Sequence, residues 1–133
     1  LNARKSFREV AKEVGTSVTA VINKVKKLES SKVIKGYIPV IDAEYFGYNL
    51  IAIIALRISQ GKLLETQEKI SQNPQITAVY DITGEWDSLA IGYFKDTDDL
   101  NGFIKNLLSL RYVDRSVTHL VLNVVKEERR IPV

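Results

Sequence analysis

The residues best suited to chemistry in this sequence are the lysines and arginines of its first 37 residues. Nine of them stand there against three glutamates, so this segment carries a net charge of +6. The rest of the chain carries −3, because the whole chain of 133 residues carries +3. Such basic side chains can neutralise phosphates, and this layout is typical of a nucleic-acid-binding module joined to a second domain with another task.

One predicted helix of this segment presents small, polar and basic side chains on the side away from its apolar stripe. They are Thr19, Ala20, Asn23 and Lys27, flanked by Lys24 and Lys26, with Ser17 at the start of the helix. In a major groove, asparagine can pair with adenine, and lysine can reach guanine or phosphate. Arg4, Lys5 and Lys35 are expected to contact phosphates. An ordinary solvated helix face is the alternative, and the segregated charge favours double-stranded DNA as the partner.

Two short helices must position these side chains. Ser6-Phe7-Arg8-Glu9 predicts a capping box at the start of the first helix, and Gly15 is expected to end it. Thr16 and Ser17 then offer an N-cap for the second helix. Apolar residues follow at helical spacing in both, namely Phe7, Val10, Ala11 and Val14, then Val18, Val21, Ile22, Val25 and Leu28. Two such helices joined by a glycine-containing turn form a helix-turn-helix.

The remaining pattern predicts alternating strands and helices. Strands are expected over 50–58, 76–83, 88–94 and 113–125, and helices over 62–72 and 97–110. The order βαββαβ is that of a ferredoxin-like sheet. The predicted fold class is therefore α+β, with a winged helix-turn-helix over 1–37, a wing or linker over 38–49 and a ferredoxin-like domain over 50–133. The charged tail 126–130 is expected to be solvated.

A turn in the second domain gathers residues that could bind a small ligand. Gly84-Glu85-Trp86-Asp87 joins two predicted strands of an antiparallel hairpin. Gly84 permits the tight backbone geometry, and Trp86 offers an apolar wall with one N–H donor. Asp87 can accept hydrogen bonds from backbone amides or from a ligand ammonium group. From the residues alone, turn architecture is the leading alternative for all three.

Three further side chains could belong to the same site. Asp81 and Thr83 are expected to share one face of the strand that precedes the turn. His119 lies within an otherwise apolar strand, where a histidine of the core or of a subunit interface is the alternative. We include all three as candidate ligand contacts.

Composition excludes several other kinds of site. The chain contains no cysteine and one histidine, so disulfides and cysteine-ligated zinc are absent and a histidine-based metal site is disfavoured. We expect no metal, no cofactor and no enzymatic activity. The longest apolar run, Leu50–Leu56, is far too short to span a bilayer. We therefore expect a cytoplasmic protein without a membrane partner.

Other functional classes explain less of the sequence. A ferredoxin-like enzyme would need a nucleophile, a base or a metal cluster, and no such set converges. An RNA-recognition module shares the order βαββαβ, but residues 89–95 lack its stacking aromatics. An assembly module, or a ferredoxin-like sensor of a small ligand without DNA-binding activity, would leave the basic segment without a role.

The whole chain resembles the Lrp/AsnC family, the leucine-responsive or feast/famine transcription regulators of bacteria and archaea, and an archaeal member is expected. The resemblance rests on 2–4, 10–11, 14–17, 28–29 and 33–37, and on the Gly-x-aromatic-Asp pattern of 84–87. It implies a DNA-binding N-terminal module and an amino-acid-sensing, ACT-like βαββαβ domain. It also implies homodimers that assemble further, up to an octamer, and an amino-acid effector bound between subunits near that turn.

The sequence departs from the family at three places. The family has one more helix before Asn2, so the first helix of the DNA-binding domain is expected to be missing from this sequence. Lys32 stands where the family has glycine, and a left-handed conformation there would cost more with a lysine. Lys24 stands where the family often has arginine, which keeps the charge and loses the bidentate fork.

Overall fold

The structure is a computed structural model that describes residues 2–59 and 61–132. It divides the chain into two compact units, Leu1–Ile41 and Asp42–Val133. Within the described residues, no helix is both long enough and apolar enough to cross a bilayer.

The first helix, α1 (Phe7–Val14), begins and ends at the predicted residues. Ser6 Oγ accepts a hydrogen bond from the backbone N–H of Glu9 at 3.2 Å, and the Glu9 carboxylate accepts one from the backbone N–H of Ser6 at 2.7 Å. This reciprocal pair satisfies two amides that the first helical turn leaves without partners. Gly15 ends the helix in the left-handed region, at φ 74°.

The second helix, α2 (Val18–Ser30), is capped by Ser17, whose Oγ accepts a hydrogen bond from the backbone N–H of Ala20 at 3.1 Å. Lys32 follows the helix at φ 58°, in the left-handed region that a residue with a Cβ seldom adopts. This conformation costs a lysine about 1–2 kcal/mol relative to the right-handed region. The strain predicted from the missing glycine is therefore present.

The apolar stripes of α1 and α2 are only partly buried within the first unit. Ala11 and Val21 are buried. Phe7, Val14 and Val18 keep 43%, 70% and 38% of their surface exposed. The contact between the two helices thus covers the centre of both stripes and leaves their ends open.

The segment after α2 does not form a β-ladder. Residues 33–41 are irregular, and the expected extended wing acquires no strand partner. The backbone N–H of Ile34 donates a hydrogen bond to the carbonyl of Leu28 at 3.0 Å. The hydroxyl of Tyr37 also donates one to the Glu29 carboxylate at 2.9 Å. This hydrogen bond raises the pKa of Tyr37, because the carboxylate stabilises the protonated phenol.

The second unit has the predicted order βαββαβ, preceded by a single 3-10 turn over Glu44–Phe46. Its elements are β1 (Leu50–Ile58), α3 (Leu63–Ser71), β2 (Ile76–Asp81), β3 (Ser88–Phe94), α4 (Thr97–Leu108) and β4 (Val113–Leu120). The four strands form one antiparallel sheet in the order β2-β3-β1-β4. This arrangement confirms the ferredoxin-like prediction and makes β1 and β3 the central strands.

Both helices cover one side of the sheet. Ala52, Ile54 and Leu56 of β1 have no exposed surface, and Phe94 of β3 stacks at 5.3 Å between ring centroids against Phe103 of α4. Alternate residues of a strand point to opposite faces. The residues between these positions therefore form a second face, which α3 and α4 do not cover.

We call this second side the helix-free face. It is mostly apolar, and its central residues are Ile51, Ile53, Ala55, Leu89, Ile91, Tyr93 and Val117. Ala55 is buried and the other six are half-buried. A contiguous apolar face of this kind is rarely left open in a soluble monomer.

Two predicted strands are too long. β2 ends at Asp81 because its partner there, Ser88, is the first residue of β3. β4 ends at Leu120, since β1 supplies only Ile51 and Leu50 beyond that point and the backbone N–H of Val121 bonds to Ile51. Apolar alternation continues in both sequences, but a ladder ends where its partner strand ends.

The charged tail is mostly exposed, as expected; Glu128 pairs with Lys126 and Arg130 within it, and Glu127 has a partner on the sheet. The hydroxyl of Tyr93 donates to the two carboxylate oxygens of Glu127, at 2.7 and 2.8 Å. Burial, and then this hydrogen bond, raises the pKa of Tyr93 to about 12. The tail is thus attached at one point to the helix-free face.

Candidate functional site

The predicted DNA-contacting side of α2 is open to solvent. Its exposed side chains are Thr19, Ala20, Asn23, Lys24, Lys26 and Lys27, and we call them the α2 face. Ser17 is also exposed, but its hydroxyl already accepts the hydrogen bond that starts the helix. Ser17 can therefore still donate its hydroxyl proton to a phosphate, while its acceptor role serves the fold.

The cations of the α2 face have no carboxylate partner. Among the described residues, Lys24, Lys26 and Lys27 form no ion pair. The one acid on the helix, Glu29, accepts the hydrogen bond of Tyr37. The positive charge of this helix therefore remains available to a phosphate backbone.

The other predicted phosphate contacts differ among themselves. Arg4 and Lys35 are exposed and have no ion pair among the residues described here. Lys5 instead forms an ion pair with Glu13 of α1. The structure thus favours Arg4 and Lys35 over Lys5 as phosphate contacts.

In the second unit, Asp87 fixes the predicted turn to the end of β1. Its Oδ2 accepts a hydrogen bond from the backbone N–H of Ile58 at 2.8 Å, and its own backbone N–H donates to the carbonyl of Leu56 at 2.9 Å. Gly84 adopts φ 104°, which an L side chain rarely accepts. These contacts and this backbone geometry support the alternative that Asp87 and Gly84 serve the architecture of the turn.

Trp86 contacts a residue that the sequence analysis did not select. The guanidinium of Arg115, on β4, lies 5.2 Å from the centroid of the Trp86 ring. An arginine over an indole at this distance is attracted by the π system. The turn is thus linked to β4 as well as to β1.

Asp81 and Thr83 do not share a strand face, because β2 ends at Asp81. The Asp81 carboxylate accepts a hydrogen bond from Nε2 of Gln67 on α3 at 2.8 Å, and the same Nε2 donates to the buried hydroxyl of Ser88 at 3.0 Å. Asp81 therefore lies on the side of the sheet that the helices cover, away from Arg115. Thr83 is exposed in the connection that follows.

His119 is exposed on the helix-free face, opposite Ile53. It lies four residues from Arg115 along β4, which corresponds to about 13 Å. One copy of the chain does not bring His119 next to Gly84–Asp87. Its position supports the interface alternative more than a ligand contact.

The described residues contain no group of three or more histidine, cysteine, aspartate or glutamate side chains that could hold a metal ion. A cleft of about 340 Å³ lies between the 3-10 turn and the tail, near Glu44 and Asn123, and one of about 170 Å³ lies between α3 and α4, near Phe103. Neither cleft is lined by residues of the 84–87 turn. Gly84 and Glu85 of that turn are exposed in a single chain, and Trp86 and Asp87 are half-buried.

Comparison with known proteins identifies both units. Residues 1–35 match the family model of a winged helix-turn-helix DNA-binding domain, and residues 51–131 match that of the Lrp/AsnC ligand binding domain. An uncharacterized HTH-type transcriptional regulator of Pyrococcus abyssi is 40% identical over 130 residues, which are 98% of this chain and 88% of that protein.

Solved structures of regulators share the fold. A transcriptional regulator from Neisseria meningitidis in complex with L-methionine superposes with a TM-score of 0.92 at 24% identity, covering 98% of this chain and 87% of that one. A feast or famine regulatory protein from Mycobacterium tuberculosis, also complexed with L-methionine, gives 0.86 at 24% identity, covering 98% and 88%. With the matched ligand-binding model and the archaeal relative, the chain belongs to the Lrp/AsnC family of transcriptional regulators.

Proposed function

We propose that this protein regulates transcription by reading double-stranded DNA with the α2 face, and that a free amino acid bound beside the Gly84–Asp87 turn changes its DNA affinity or its assembly. The observation that carries the first half is the exposed, unneutralised cationic side of a capped helix. This role would place the protein in the cytoplasm, where prokaryotic DNA lies.

The proposed readout divides between Asn23 and the basic residues. Asn23 lies in the first half of α2, the part that contacts base edges in a helix-turn-helix. Its amide can pair with adenine, whereas Lys27, Arg4 and Lys35 would bind phosphates and set affinity without sequence preference.

A binding assay on the preferred sequence, selected from random duplexes, tests this division. Asn23→Ala should cost about 1–3 kcal/mol on that sequence and flatten discrimination. Lys35→Gln should weaken all sequences alike and reduce the salt slope by about one unit. Lys105→Gln, an exposed lysine of α4, is the control and should change neither. An Asn23→Ala protein with unchanged affinity and preference would refute the assignment.

The effector half of the proposal draws on the matched ligand-binding model and on the two relatives complexed with L-methionine. Trp86 supplies an apolar wall, and the backbone amides of the turn can receive a carboxylate. Because Gly84 and Glu85 of the turn are exposed in one chain, a second copy would be needed to enclose a ligand there. A thermal-shift screen of the twenty amino acids tests this, since a ligand of the folded state raises the melting temperature.

We further propose that the helix-free face pairs two copies of the chain, which then assemble into larger oligomers. The face is apolar, and α3 and α4 leave it open. Closed two-fold pairing is the commonest way in which soluble proteins cover such a surface. The arrangement would bring His119, on the edge strand β4, into the interface and leave the turn at its edge.

A further inference from the structure

Two arginines stand directly opposite each other on the helix-free face. The register of β1 and β4 pairs Arg57 with Arg115, and both side chains are exposed. Directly opposed residues of antiparallel strands have Cβ atoms about 4.5–5.5 Å apart, and like charges in this arrangement repel. A sheet with this pair is therefore destabilised unless an anion lies between or above the two guanidinium groups.

The chain does not supply that anion from its own described residues. No carboxylate oxygen among them lies within 4 Å of either guanidinium group. Three acids lie nearby. Glu85, next to Trp86, is exposed and forms no ion pair with either arginine, and the other two have other partners. Asp87 accepts the backbone N–H of Ile58 at 2.8 Å, and Asp114 accepts the hydroxyl of Ser59 at 2.7 Å.

One of the two arginines is oriented by the turn. The Arg115 guanidinium lies 5.2 Å from the centroid of the Trp86 ring. A guanidinium that lies over an aromatic ring can leave its N–H groups free to bind both oxygens of a carboxylate. Trp86 precedes Asp87, whose hydrogen bond holds the turn at Ile58, the residue after Arg57.

We propose that Arg57 and Arg115 bind the α-carboxylate of the amino-acid effector, with Trp86 as the positioning residue for Arg115. The proposal rests on the proposed effector site at Gly84–Asp87. It assigns to these two arginines the recognition of the α-carboxylate, which all amino acids share. Discrimination among amino acids then falls to whatever contacts the ligand side chain. A side-chain carboxylate from a second copy of the chain could bind the two arginines in the same way. The experiment distinguishes that carboxylate from the carboxylate of a free amino acid.

The experiment is calorimetry on the full chain with L-methionine and then with each of the other nineteen amino acids. Whichever binds is titrated again as its carboxamide, which lacks the negative charge. Arg57→Gln and Arg115→Gln should each weaken binding of the acid by roughly tenfold to a hundredfold, the range for hydrogen bonds to a charged group. The carboxamide should bind the wild type as weakly as the acid binds the arginine variants. The two substitutions should weaken the binding of the carboxamide little further.

Arg111→Gln is the matched control. Arg111 is also exposed and also lies over an aromatic ring, 5.6 Å from the centroid of Tyr112, but no arginine stands opposite it. The Arg111→Gln protein should bind the amino acid as tightly as the wild type does. Arg57→Lys and Arg115→Lys, which keep the charge, serve if a glutamine variant fails to fold, and each should lose part of the affinity with the bidentate geometry.

Each outcome decides between the proposals. If an amino acid binds the wild type and the arginine variants equally, or its carboxamide binds equally well, the arginine assignment is wrong while the proposed effector function stands. If no amino acid binds the wild type, both are wrong. Sedimentation without any amino acid tests the other source. If Arg57→Gln and Arg115→Gln dissociate the oligomer and Arg111→Gln does not, a second copy supplies the carboxylate. The assignment of the two arginines to the effector carboxylate is then overturned.

Discussion

The carboxylate of Asp87 accepts a hydrogen bond from the backbone N–H of Ile58 at 2.8 Å, at the point where the pairing of β1 with β4 shifts register. The ladder between β1 and β3 ends at Leu56, opposite Ser88, so the amide of Ile58 lies beyond that ladder and takes the Asp87 carboxylate as its acceptor. Asp87 thus joins the Gly84–Asp87 turn to the end of a central strand. A substitution there will act on stability as well as on any ligand.

Asp87→Ala should therefore lower the free energy of unfolding by about 1–3 kcal/mol, because it leaves a part-buried N–H without a partner. Asp87→Asn should lower it less, since its side-chain oxygen can still accept that bond. Urea unfolding followed by the fluorescence of Trp86, the only tryptophan, measures both. Equal stability of the alanine variant and the wild type would show that the hydrogen bond contributes nothing. If the charge of Asp87 binds the ligand ammonium group, the folded asparagine variant should also lose amino-acid affinity.

The sequence predicted the elements of this fold better than the surroundings of its candidate ligand residues. Ser6, Gly15 and Ser17 act through bonds within a few residues, so their capping roles were visible locally. The partners of Asp81 and Asp87 lie 14 and 29 residues away and depend on strand register. Arg57 and Arg115 looked like ordinary exposed strand residues, because only the register places them opposite each other.

Lys32→Gly should stabilise the end of α2 by about 1 kcal/mol, because Lys32 is held at φ 58° and glycine adopts that region without a steric penalty. Hydrogen exchange of the backbone amides of 27–34 measures the effect locally. Lys35→Gly is the control, since the backbone of Lys35 is outside the positive-φ region and only flexibility changes. Faster exchange in Lys32→Gly than in the wild type would contradict the strain assigned here.

The capping box of α1 should weaken in acid. The hydrogen bond from the backbone of Ser6, followed by that from its side chain, lowers the pKa of Glu9 below its usual value of 4.5. A carboxylate with a lowered pKa in the folded state stabilises it fully above the unfolded pKa and loses that contribution as the pH falls through the folded value. Exchange protection of the first turn of α1 should therefore decline below about pH 4.5 in the wild type. Glu9→Gln should not show this decline, and an identical decline in both proteins would contradict the role of Glu9.

Ile53→Glu should dissociate the oligomer, because it places a charge at the centre of the proposed apolar interface on the helix-free face. Sedimentation at micromolar concentration measures the change. Leu64→Glu is the matched control, since Leu64 is an exposed apolar residue on α3, 71% accessible and outside that face. If the wild type sediments as a monomer, or if Ile53→Glu assembles like the wild type, pairing through this face is wrong.

The proposed regulation requires communication between the amino-acid site and the α2 face. The most direct test is the affinity of the full chain for its selected duplex, measured at one fixed salt concentration with and without each amino acid. An amino acid that raises the melting temperature should change the DNA affinity by about 5- to 150-fold, and saturating DNA should change the amino-acid affinity by the same factor. The DNA affinity should be measured at amino-acid concentrations that saturate the site detected by calorimetry. A DNA affinity that no amino acid changes would contradict the proposed communication.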